Sequence, residues 1–270
     1  MKLTKYTLMM AIGASLALTS CEDVSEADRY IPYEKPDASK NLLIMEFTGM
    51  RCVNCPKGAE AVHDITEALD GKAVAICLHP TLPDGPGNFT LPIDGLDLRS
   101  DVATDIYNEF HPNFPAAMFD FGDISTNVRR WSGVAMKAFA VPSPLNVEVT
   151  TDYDESTRKV KAHYKVTFVD NYADELNLTM YLTEDGIIGT QEGPSGATYE
   201  NYTFNHVLRG SFNGTWGESI GSGFTILQEV EGEYELTLKE GWKAENCNVA
   251  CFVGQPKGTV FNATEAKVKE

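Results

Sequence analysis

The sequence predicts an α/β unit followed by an all-β unit. Two observations carry that reading. A buried strand, a helix and a second buried strand follow one another between Leu42 and Leu78, and apolar residues alternate from Leu145 onward, after the stiff break Pro142-Ser143-Pro144. The 270 residues are 43% hydrophobic and 23% charged, enough to bury a sizeable core and to form two domains. The 22 basic and 39 acidic side chains leave a formal charge of -17, which repels phosphate backbones and excludes DNA or RNA as a partner.

The first segment reads as an address. Lys2 and Lys5 precede an uncharged run from Thr7 to Thr19, the length of a signal-peptide core and too short to span a bilayer. The run ends in Leu18-Thr19-Ser20-Cys21, which resembles the bacterial lipobox. That resemblance implies a lipidated N-terminal Cys21 whose acyl chains tether the protein to a membrane without spanning it. Residues 1–20 are therefore expected to be a lipoprotein signal peptide, and residues 21–40 an acidic, proline-containing tether without apolar periodicity. Glu22, Asp23, Glu26 and Asp28 look like the surface-export signal of Bacteroidetes-type lipoproteins, with a generic acidic tether as the alternative.

From Asn41 the pattern changes. Leu42 to Phe47 is a short apolar run interrupted only by Glu46, and suits a strand buried on both faces. Thr48-Gly49-Met50-Arg51-Cys52-Val53-Asn54-Cys55-Pro56 follows; Pro56 is tolerated in a first helical turn, and Ala59, Val62, Ile65 and Leu69 then recur at helical spacing. Gly71 suits the helix end, and Ala73 to Leu78 reads as a second strand parallel to the first. The CxxC thus sits at a helix N-terminus, where unpaired amides favour a thiolate with a pKa near or below ~7 instead of ~8.5. Cys52 is the candidate nucleophile and Cys55 the candidate resolving thiol. No second CxxC or paired-His spacing accompanies them, so neither a metal nor a cofactor is expected.

Cys52-Val53-Asn54-Cys55 after a strand resembles the thioredoxin superfamily, and two further positions support the likeness. Glu46, six residues before Cys52, falls where that family keeps a buried acid that relays the resolving cysteine's proton. Phe114-Pro115-Ala116-Ala117-Met118-Phe119 resembles its cis-proline and following strand, which implies substrate binding at the Phe114 backbone beside Pro115. The proline- and glycine-rich stretch at about 80–98 departs from the family and reads as an inserted loop ahead of a helix from about Arg99 to Phe110. Arg51 stands where many thioredoxins have an aromatic residue, and with Phe114 is a candidate substrate contact. A helix from about Ser125 to Phe139 is expected to close this domain, which spans 41–141.

Residues 142–270 read as an antiparallel β-sandwich. Strands are expected at Leu145 to Val149, Val160 to Phe168, Leu176 to Leu182, Phe224 to Leu227, Tyr234 to Leu238 and Val249 to Val253. The glycine-rich segment Gly210 to Gly223 lacks the Gly-Lys-Ser/Thr ending of a phosphate loop and reads as turns. His206 and Arg209 are expected to be structural, on opposite sides of a strand. Cys77 reads as a buried small hydrophobe. Cys247 and Cys251 lie about 13 Å apart along a strand, beyond the ~7 Å that a disulfide tolerates. The Tyr202 to Arg209 segment, the CVNCPKG motif and the ending Val260 to Val268 together resemble the outer membrane protein 28-related lipoproteins, which couple a thioredoxin-like domain to a β-sandwich. The resemblance implies an outer-membrane, surface-exposed location, with the periplasmic face as the alternative. The expected function is thiol-disulfide exchange with protein thiols or disulfides. A non-enzymatic binding or adhesion lipoprotein, with a static CxxC disulfide and an unknown surface ligand, is the alternative.

Overall fold

A computed structural model of the chain describes residues 38–83, 85 and 87–270. The expected signal peptide, the lipidation site Cys21 and most of the tether lie outside the described residues. Strand β1 (Leu42–Phe47) leads through the CxxC turn into helix α1 (Cys55–Ala68) and parallel strand β2 (Ala73–Leu78). Helix α2 (Asp101–Phe110) begins where the Ser100 hydroxyl accepts the Ala103 amide, and leads to β3 (Ala116–Phe119), antiparallel to β1. Helix α3 (Trp131–Phe139) starts six residues later than its periodicity suggests. The cause is Ser125, whose amide and carbonyl both bond Ala117 as an extra bridge on the edge of β3.

The second half supplies β4 (Leu145–Asp154), β5 (Lys159–Phe168), β6 (Leu176–Glu184), β7 (Ile187–Glu192), β8 (Thr198–Phe204), β9 (Val207–Ser211), β10 (Glu218–Gly221), β11 (Glu229–Thr237), β12 (Cys247–Gly254) and β13 (Val260–Lys267). Strands β11, β5 and β4 make an antiparallel sheet whose cross-strand ion pairs join Lys159 to Glu235, Lys161 to Glu233 and Lys165 to Glu229. Their other face packs on β6 and β12 through Leu145, Val166, Phe168, Leu178, Met180 and Cys251. Phe224 to Leu227 is no strand: Phe224 makes a single bridge to Tyr172 and stacks on Phe168, with ring centroids 4.2 Å apart. Cys77, Cys247 and Cys251 are all buried and free.

The largest sheet runs across the expected linker. Its order is β13-β12-β6-β9-β2-β1-β3, with β10 also on β6, so strands from both halves share one ladder. The joint is narrow. β2 and β9 pair in parallel at Cys77 and Val207, and the Cys77 amide donates to the His206 carbonyl at 2.7 Å. His206 therefore sits in a left-handed turn, φ 57°, and not in a strand as expected.

β1 and β2 bury apolar side chains on both faces. Leu43, Met45, Phe47, Val74, Ile76 and Leu78 face α2 and residues from the far half of the sheet. Leu42, Ile44, Ala73 and Ala75 face Val62, Ile65 and Leu69 of α1 and Trp131 of α3. Further along this second face come Glu46 and Thr48 on β1, then Cys77 on β2 and His79 just beyond it. No described helix is long and apolar enough to cross a membrane.

One buried amide ties chain start, chain middle and chain end. Asn262 Oδ1 accepts the Asn41 and Ala263 amides at 2.8 and 2.9 Å, while its Nδ2 donates to the Ser39 and Leu145 carbonyls, both at 3.0 Å. Truncation strands the Asn41 and Ala263 amides and the Ser39 carbonyl, while the Leu145 carbonyl keeps the Ser143 hydroxyl as its donor; Ala263 is fully buried. Asn262→Ala is therefore expected to lower stability by about 3 kcal/mol, read from denaturant unfolding at unchanged m-value.

Candidate functional site

The CxxC turn is held from three sides. Cys52 and Cys55 form a disulfide with Cα atoms 5.3 Å apart, and the Cys55 amide bonds the Cys52 carbonyl at 3.0 Å. Cys55 is the first residue of α1, with Asn54 at its N-cap and Pro56 in its first turn, as the proline position predicts. Gly49 is required here because a Cβ would meet the Phe89 carbonyl oxygen at 2.3 Å. That close approach lets Phe89 of the inserted loop accept the Arg51 amide at 2.9 Å. From the other side β7 binds the turn: the Glu192 amide donates to Met50, and the buried Gln191 side-chain amide donates to the carbonyls of Gly49, Cys52 and Glu192. The result is a covered disulfide, with Cys52 4% and Cys55 1% exposed.

The side chains singled out in the sequence converge on this corner. Glu46 is 1% exposed, and its Oε2 accepts from the Cys77 thiol at 3.5 Å. Gly58, three residues into α1 from Cys55, lies against both Glu46 and Pro115; a Cβ there would be 2.4 Å from Glu46 Oε1 and 3.3 Å from the Pro115 ring. The Phe114-Pro115 bond is cis. The Phe114 ring is half-buried beside Phe47, Phe89 and Tyr107, with centroids 6.4, 6.4 and 5.9 Å away. Arg51 turns aside to Glu192 at 2.9 Å and to the Pro92 carbonyl at 3.1 Å. Both exposed large apolar side chains near the turn, Val53 and Phe89, are 41% exposed.

Behind the disulfide lies a cavity of about 430 Å³, lined by Cys55, Glu46, Cys77, His79 and, from the β7–β8 hairpin side, Tyr202 and His206. His79 and Tyr202 were not foreseen as site residues. His79 continues the parallel pattern Glu46-x-Thr48 and Cys77-x-His79, which sets four polar side chains on one sheet face; Tyr202 carries no such signal. Glu46 Oε1 and both His79 ring nitrogens have no hydrogen-bond partner among the described residues. Burial pushes the Glu46 carboxyl up to about 8, opposed by the Cys77 hydrogen bond, and draws the His79 imidazole down to about 4. Burial and the neighbouring Glu46 carboxyl push the Cys77 thiol well above its ordinary range. All three are thus neutral near physiological pH. No group of three or more His, Cys, Asp and Glu among the described residues is placed to hold a metal ion.

An acid with a raised pKa holds its proton more tightly in the folded chain than in the unfolded one. Its contribution is undiminished below the ordinary carboxylate range and declines as pH rises through about 8. Replacing Glu46 by Gln is expected to flatten this decline, so that the variant gains on the wild type by a few kcal/mol, on the order of 3, between acidic and mildly alkaline pH. Paired urea titrations across that range give the difference; parallel stability curves contradict the assignment.

No curated protein matches the chain in sequence. Among solved structures, HBP35 of Porphyromonas gingivalis is similar with a TM-score of 0.67 at 17% identity, covering 87% of this chain and 77% of that one. A protein of Agrobacterium tumefaciens is similar with a TM-score of 0.51 at 13% identity, covering 88% of this chain and 97% of that one. At these identities the likeness is one of fold alone. The family model for the outer membrane protein Omp28 matches residues 115–270, beginning at the cis-proline and leaving the CxxC turn outside. That match spans more than half of the sequence, and this chain belongs to the Omp28 family of outer membrane proteins.

Proposed function

We propose that this protein is an outer-membrane lipoprotein, anchored through Cys21 and displayed at the surface, whose thioredoxin-like site exchanges disulfides with extracytoplasmic proteins. The observation that carries the reading is the buried Glu46 in the cavity behind Cys55, at the start of α1, with the cis Phe114-Pro115 bond alongside. In the oxidised form a substrate thiolate attacks Cys52 Sγ. The Cys52–Cys55 bond breaks, Cys55 leaves with the electron pair, and Glu46 supplies the proton that converts it to a thiol. A second substrate thiolate then attacks its own sulfur in the mixed disulfide. Cys52 departs as a thiolate facing the α1 N-terminus, the substrate gains a disulfide, and the protein has accepted two electrons. Reduction of a substrate disulfide runs through the same steps in reverse.

The Arg51–Glu192 pair and the inserted loop adjoin the CxxC turn, and on this reading they limit access to its sulfurs. The pair is more than one-third exposed on both sides and contributes little to stability. Arg51→Ala is therefore expected to speed reduction of the disulfide by dithiothreitol about threefold or more while Tm stays within about 2 °C. An unchanged reduction rate removes Arg51 from the gate.

The burial of both sulfurs favours a second reading, in which the disulfide is static and the β-rich half recognises a surface partner. Cys55→Ser in the native cell separates the two: exchange predicts mixed disulfides trapped on Cys52, and purified wild type should reduce insulin disulfides, with Glu46→Gln slower by about 10²-fold. Absence of trapped partners together with no insulin reduction leaves the binding reading.

A further inference from the structure

The cavity behind the disulfide has the composition of a binding site in its own right. Its floor is polar and buried: Glu46 and His79 are 1% and 2% exposed, and both carry unpartnered polar atoms. Such atoms are expensive to bury, so the site favours an occupant that supplies the missing bonds. One wall is aliphatic, from Ala59 and Val62 of α1; the other is aromatic, from Tyr202 and Phe204, whose centroids are 4.8 Å apart. The mouth opens between the exposed residues Glu60, His63 and Asn205. The ionisable groups of the lining are carboxyls, imidazoles, a thiol and a phenol; neither lysine nor arginine lines the cavity.

We propose that this cavity binds an ammonium or guanidinium group on an aliphatic stem, with the Glu46 carboxylate as counter-ion, a His79 ring nitrogen as second acceptor, and the Tyr202 and Phe204 rings along the stem. Three features select this class. A buried carboxyl without a cationic partner is an open half of an ion pair. Neutral imidazole accepts from an N–H donor. Aromatic faces attract cations and pack on methylene chains. The source is either a free amine or a Lys or Arg side chain of a polypeptide. The proposal does not rest on thiol exchange, because the disulfide forms only part of the wall.

Binding has a protonic signature. Glu46 shares the cavity with the Cys77 thiol from β2, with His79 after it, with Glu60 and His63 from α1, and with Tyr202 and His206 from the hairpin side. Its carboxyl holds a proton up to about 8. Seating a cation near neutral pH therefore breaks that O–H bond and sends the proton to solvent, while the ligand keeps its own protons. Protonation of an imidazole would give the opposite sign.

Titration calorimetry of the intact, oxidised protein tests this, using n-pentylamine in phosphate and in HEPES near neutral pH, with n-pentanol as the uncharged control. The expected result is at least about tenfold tighter binding of the amine than of the alcohol, with release of about one proton per amine bound. Glu46→Gln should lose that release and at least about tenfold of the amine affinity. The buffer comparison on wild type decides the matter even if the variant folds poorly. N-acetyl-lysine methylamide binding as well as pentylamine identifies a polypeptide side chain as the source, and its exclusion identifies a free amine. Equal binding of amine and alcohol, binding without proton release, or no amine binding overturns the proposal.

Discussion

The architecture turns on one parallel contact, that of β2 with β9 at Cys77 and Val207. Without it β2 would be the edge of a small sheet, and the β7–β8 hairpin would be held to the CxxC turn only by its own bonds to Met50, Gly49 and Cys52. With it, the ladder continues into β6, β12 and β13, and residues 187–206 are brought over the start of α1. Gln191 then completes the corner by satisfying carbonyls of the turn. The site is therefore built from both halves of the chain, and its cover comes from a segment remote in sequence.

This arrangement sets stability against chemistry on a single sheet face. Where α1 lies over Ile44 and Ala75, the face is apolar and closely packed. Two residues further along each strand, at Glu46 and Cys77, the same face becomes polar, and the helix meets it with Gly58 and the disulfide instead of with large side chains. Folded chains rarely keep unsatisfied buried groups unless those groups have a use, and Glu46 Oε1 and both His79 ring nitrogens lie on residues that line one cavity. The scaffold that holds them is continuous with a large apolar core of interlocked sheets.

Much of this was legible from residue pattern. The strand, helix and strand around the CxxC followed from apolar runs and from Pro56, and the later strands from alternation, because both are local consequences of backbone period. Glu46 and Pro115, singled out by the likeness, both lie against Gly58 of α1. What escaped had non-local causes. Leu42 to Phe47 is buried on both faces, so its sequence does not disclose which residues look toward α1, and Tyr202 on a separate hairpin gave no sign of lining a cavity. Nothing near Val207 announces a partner as distant as Cys77. Ser125 has helix-compatible neighbours, yet a bridge to Ala117 holds it extended. Phe224 suits a strand, yet it is used as a ring stacked on Phe168.

The long reach between Cys77 and Val207 also orders events during synthesis. Until the residues around Val207 have emerged, β2 presents an unpaired parallel edge, the kind of surface that recruits other chains. A nascent chain made from its N-terminus must carry that exposed ladder until the residues around Val207 have been added. The sheet can therefore close across β2 only after the whole β4 to β9 segment has been made.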